Sequence, residues 1–63
     1  MMKIGCFLDQ KDGVIAKEFS DAAYVVLIDA DAYTVISEFP REDRSEVDLA
    51  RWVLEEDCEA IIT

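Results

Sequence analysis

The sequence predicts a small α/β domain, a mixed sheet in β-β-β-α-β order formed by residues 1–63 as a single unit. Three observations predict it. "YVVLIDA" (Tyr24 to Ala30) is rich in β-branched residues and apolar on both faces, the pattern of a central strand covered on both sides. A short acidic break, Asp29-Ala-Asp31, separates it from a second strand-like run at hairpin spacing. A helix-opening serine then precedes apolar residues at helical spacing, and a last apolar run follows.

Taken in order, "KIGCFL" (Lys3 to Leu8) is the first strand. Ile4, Cys6 and Leu8 share one face, and Gly5 and Phe7 the other, with Gly5 marking a close backbone approach. Asp9 to Gly13 is a loop in which Gly13 is free to take positive φ. Val14 to Ala23 reads as a short strand followed by a helical turn. "YTVISEF" (Tyr33 to Phe39) is a less buried neighbour of the central run, with Tyr33, Val35 and Phe39 on one face. Pro40 ends it, and "REDR" is a charged loop. Ser45 opens the helix with Asp48 three residues on as a capping box. Val47, Ala50, Val53 and Leu54 form its apolar face, with Trp52 at the border, and Arg51 is spaced to pair with Asp48 or Glu55. Glu55-Glu56-Asp57 opposes the helix dipole, so this end is expected to fray or gain a partner. "CEAIIT" is the last strand, parallel to the first and beside it, because strand–helix–strand crossovers are right-handed.

The composition excludes several functions. Fifteen acidic and six basic residues leave a net charge of -9, which repels nucleic-acid phosphates and anionic membranes alike. No run spans a bilayer, and "MMKIGCFLD" is no signal peptide. Two cysteines are too few for a secreted disulfide scaffold, so a cytoplasmic protein with reduced thiols is expected. The absence of histidine removes the commonest acid–base residue and the commonest metal ligand. The chain is therefore read as a non-enzyme.

"MKIGCFLD", "EFSDAAYVVLID" and "SEVDLARWVLEEDCEAIIT", in this order, resemble the dinitrogenase iron–molybdenum cofactor biosynthesis family. Phe19, Ala22 and Tyr24 agree with its His-Phe-Gly-Arg-Ala-Pro-Tyr type of motif, while Glu18 stands for the histidine and Ser20 for the glycine. The resemblance implies a ribonuclease-H-like fold, of which this chain spans about the first three-fifths. It also implies an accessory domain that binds or carries an iron-containing metallocluster or its precursor, with Asp9 and Glu18 as the cofactor-binding candidates.

Each candidate has a plainer alternative. Asp29 and Asp31 are read as hairpin-turn residues rather than a catalytic pair, since Asp at a turn bonds its own backbone. Asp9 ends an apolar strand, where ligand sites of α/β sheets gather, or else opens an Asx-turn. Glu18 is a hard-metal ligand with Asp9 and Asp12, or a solvated acid. Cys6 and Cys58, expected to be close in space, are thiol ligands or small core residues. Trp52 is a ligand platform, a core edge or a subunit contact. The alternative function is a small acidic interaction module without cofactor. One helix covers one sheet face, so the bare face and the border strand "AIIT" predict a homo-oligomer.

Overall fold

A computed structural model describes all 63 residues. The sheet grows outward from β1 (Lys3–Leu8) and β2 (Tyr24–Asp29), which pair antiparallel from Lys3↔Asp29 to Leu8↔Tyr24. β3 (Thr34–Pro40) follows β2 through a hairpin, and β4 (Ala60–Ile62) lies parallel to β1, with Ile4 beside Ala60 and Cys6 beside Ile62. The strand order is β3-β2-β1-β4, and α1 (Glu46–Glu55) makes the crossover. This is the small α/β architecture with a mixed sheet and the element order expected. Between β1 and β2 the helical turn expected of that stretch forms as a single 3₁₀ turn at Phe19–Asp21, while the short strand is reduced to one isolated bridge from Ile15 to Leu8.

Alternation along β1 and β2 sorts side chains onto two faces. Phe7, Val25 and Leu27 point to the helix and are fully buried, as is Leu49 of α1. Ala16 and Ala22 complete the core, and Phe19, Phe39, Trp52 and Val53 pack against it. The aromatic rings meet edge-on, with Phe7 and Phe19 centroids 4.7 Å apart and Phe39 and Trp52 at 5.3 Å. Gly5 is where the Trp52 indole lies against the sheet. A Cβ there would lie 3.3 Å from Cζ3 of the Trp52 indole. The close approach is thus made by a side chain rather than by the backbone expected there.

Four expectations are corrected. First, the central strand is covered on one side only: Val26 and Ile28 remain half-exposed on the face away from α1. Second, the buried stripe of α1 is Leu49, Trp52 and Val53. Val47 and Leu54 are 65% and 80% exposed. Two apolar stripes of correct period share this helix, and Gly5 decides between them by making room for the indole. Third, Tyr33, Val35 and Phe39 do not share a face. Leu27 pairs Ser37 but Ile28 pairs Val35, so Ile36 is an extra residue in a β-bulge and the alternation flips across it. Fourth, the C-terminal end of α1 is closed by backbone bonds in spite of its acids. Asp57 takes φ of 58°, its N–H bonds the Leu54 carbonyl at 3.2 Å, and the Cys58 N–H bonds the Val53 carbonyl at 3.1 Å. This closes a Schellman motif with aspartate in the position glycine usually takes.

The N-terminal end of α1 follows expectation. Ser45 accepts from the Asp48 N–H, and the Asp48 carboxylate accepts from the Ser45 N–H, both at 3.1 Å. The backbone bond from Ser45 holds the Asp48 carboxyl below its ordinary pKa, with smaller help from Arg51 and Arg44. Arg51 forms no ion pair with Asp48 or Glu55, since the one ion pair in the molecule joins the Met1 amine to Asp31 at 3.6 Å.

Candidate functional site

Asp9 opens the loop after β1. Its carboxylate accepts from the Val14 N–H at 3.1 Å, and its own N–H donates to the Val14 carbonyl at 3.0 Å. The side chain thus closes the loop on itself. Gly13 sits inside this ring with negative φ; the left-handed residue is Asp12, at φ 60°. Glycine is needed at 13 for space, because a Cβ there would run into the Asp9 carboxylate and Gln10. Glu18 precedes the 3₁₀ turn in extended backbone, exposed and with no capping bond from its side chain. Asp9, Asp12 and Glu18 are not brought together. No group of three or more Cys, Asp or Glu side chains is placed to hold a metal ion. This donor set does not fit an iron-containing cluster, which takes three or four ligands.

Asp29 is a turn residue. One carboxylate oxygen accepts from the Asp31 N–H at 3.0 Å and the Ala32 N–H at 3.3 Å. The turn it fixes drives Tyr33 into the left-handed region, at φ 56°, with the ring 93% exposed. Cys6 and Cys58 are free and half-buried, and neither belongs to the core. Nor are they neighbours. Cys6 sits beside Ile62, whereas Cys58 precedes that residue by four positions, about 13 Å along an extended chain at roughly 3.3 Å per residue. Burial raises both thiols above their ordinary pKa, and Glu56 adds to the effect at Cys58. They stay protonated at neutral pH. Trp52 faces the sheet and is part of the packed interior edge.

The feature left over is the sheet face turned away from α1. The strand registers align Ile4 with Ile28 and Val35, Cys6 with Val26, and Leu8 with Tyr24 across the sheet. Ile62 extends this surface onto β4, beside Cys6. Its one carboxylate is Glu38, which accepts the Tyr24 hydroxyl at 2.8 Å. That bond, followed by burial and the charges of Glu38 and Asp12, raises the Tyr24 phenol above its usual pKa. Toward the hairpin the surface dips into a shallow depression of about 390 Å³ lined by Ile28, Asp29, Ala30, Tyr33, Thr34 and Val35. The alternation Ile4-Cys6-Leu8 and the doubly apolar Tyr24–Ala30 run carry the signal for this face in the sequence.

Arg41 has no such signal. Read as part of a solvated loop, it instead clamps three segments. Its guanidinium donates to the carbonyls of Ser20 at 2.7 Å, Ala22 at 3.0 Å and Arg44 at 2.9 Å. Arg44 donates to the Pro40 carbonyl at 3.0 Å and lies over the Phe39 ring, 4.7 Å from its centroid. Both arginines are therefore committed to holding the chain. The hollow they line with Ser20 and Ala23 is polar and open. No helix is long and apolar enough to cross a membrane.

No family model, curated protein or solved structure matches this chain.

Proposed function

We propose that this domain is a non-enzymatic protein-interaction module that docks through its open sheet face and works without a cofactor. One observation carries this reading: in a chain with fifteen acids, a four-stranded surface of Ile, Val, Leu and Cys side chains holds a single carboxylate. Charge is sorted away from a face that folding leaves uncovered. Large apolar patches on small domains mark interaction sites. The ribonuclease-H-like resemblance, with its cluster-carrying role, gains no ligand set from these residues. The cytoplasm suits the module, since both thiols stay reduced there.

A second reading is favoured by β4. Ala60, Ile61 and Ile62 form an uncharged border strand, a template for pairing with a second copy of this chain. In that case the module is a homo-oligomer.

The test uses a neutral hydrophobic dye, Nile red, with the wild-type domain and the variants Ile28→Lys and Val35→Lys. Dye fluorescence is expected to fall several-fold in both variants while the far-ultraviolet circular dichroism is unchanged. Equal dye binding by all three proteins would overturn the docking role of this face. Anaerobic incubation with iron and sulfide is expected to leave the protein colourless; a stoichiometric visible chromophore would overturn the cofactor-free reading.

A further inference from the structure

We infer that the occupant of the open face is a basic amphipathic segment of a partner protein, its apolar side chains lying on Ile4, Cys6, Val26 and Ile28 and its lysines or arginines meeting the carboxylates around them. This rests on the interaction reading above and adds the chemistry of the partner.

The argument is one of charge. Acids stand at both ends of the apolar surface. Asp9 and Asp12 follow β1 at the Leu8 end, with Lys11 between them; at the other end Asp29 closes β2 opposite Lys3, Asp31 follows it, and Glu59 precedes β4, so acids outnumber cations at both ends. The molecule's sole ion pair is that of the Met1 amine with Asp31, and no lysine or arginine side chain pairs with any acid. Arg41 and Arg44 are bound to backbone carbonyls. The chain carries a net charge of -9, and the open face itself holds one carboxylate, Glu38, and no cation. Electrostatic complementarity selects a partner whose rim is positive. It disfavours a second copy of this chain on the face, because two copies would bring like-charged rims together. It disfavours anionic lipid and nucleic acid for the same reason.

Dimensions fix the form of the segment. Four strands at about 4.8 Å spacing give a surface roughly 19 Å wide, and six residues at about 3.3 Å give a length of roughly 20 Å. An α-helix about 10 Å across covers such a length with about 13 residues.

The probe is a synthetic 14-residue peptide with leucines at helical positions i, i+3, i+4 and i+7 and lysines elsewhere. Two control peptides replace every lysine by glutamate, or every leucine by serine. Binding is measured by calorimetry, and mapped by NMR on the methyl groups of Ile4, Val26 and Ile28. Expected is binding of the leucine–lysine peptide that shifts these methyls, at least tenfold weaker binding of both controls, and weakening by Val35→Lys, whose wild-type side chain is 57% exposed and not needed for the core. Asp12→Asn with Glu59→Gln is expected to weaken binding without changing the folded signal. Equal binding of the glutamate peptide overturns the inference, as does mapping to the helical layer. So does sedimentation equilibrium showing a dimer that buries the Ile4, Val26 and Ile28 methyls. If Nile red still reports the face while peptide charge has no effect, the partner chemistry fails and the interaction module stands. If the dye is indifferent to the face, both fall.

Discussion

Replacing Arg41 by alanine removes three hydrogen bonds that tie the 3₁₀ turn and the start of β2 to the loop before α1. Bonds from a charged donor are worth about 1.5–3 kcal/mol each when sheltered. Here two of the three lie in exposed surroundings and only the Ala22 bond is half-sheltered, so water replaces much of what is lost. We expect a net destabilisation of about 2 kcal/mol. A domain of this length has a stability of roughly 3–9 kcal/mol at about 0.05–0.15 kcal/mol per residue, so the loss is a large fraction. At about 2.1 cal/mol/K per residue of unfolding entropy, it lowers Tm by about 15 °C. The assay is urea unfolding followed by Trp52 fluorescence and by circular dichroism, with coincidence of the two transitions as the check on two-state behaviour. Arg41→Lys should recover less than half of the loss, since a single ammonium cannot reach three carbonyls in a fixed fork. A change below about 0.5 kcal/mol in Arg41→Ala, the range of ordinary surface substitutions, would refute the clamp.

Three further outcomes are expected. Gly5→Val should destabilise by about 1–3 kcal/mol through overpacking against the Trp52 indole, and Gly5→Ala by less, because alanine regains part of the cost in backbone order; unchanged urea midpoints in both would contradict the close packing. The Asp48 carboxyl has a folded pKa below its ordinary 3.8, so its contribution to stability is present above that value and is lost as pH falls through the folded pKa. Asp48→Asn should therefore flatten the acid limb of the stability–pH curve below about pH 4, and identical limbs would remove this carboxylate as its cause. Because almost no acid is paired, Tm should rise from low to moderate sodium chloride as the Debye length shrinks to about 10 Å at 0.1 M; a flat or falling trend would point to specific cation binding.

The sheet was legible because its signals are local and redundant. Alternation in Lys3–Leu8 and the β-branched run after Tyr24 both follow from burial on a pleated surface, and Gly5 announces the helix that crosses it. The helix face was not legible. Val47-Ala50-Leu54 and Leu49-Trp52-Val53 have the same period, and only the tertiary position of Gly5 separates them. The bulge at Ile36 escaped for a similar reason, since no glycine or unusual residue marks the extra position. Among site candidates, the aspartates at 9, 29 and 31 carry their turn chemistry in short spacings, and Asp9 and Asp29 each bond backbone N–H groups within a few residues. Arg41 depends on carbonyls some twenty residues upstream, a relation that no local pattern encodes.

The bulge in β3 has a consequence for how copies of this chain can add to one another. A sheet grows without limit only if both of its borders accept a new strand. Here one border is β3, whose outer side is interrupted at Ile36, carries Glu38 and ends in Pro40, which has no N–H to give. The other border is β4, three residues long and uncharged. Strand addition between copies can use β4 against β4 about a two-fold axis, and that closes the assembly at two. The same extra residue that turns Val35 toward the apolar face thus leaves the sheet a single regular border for strand addition.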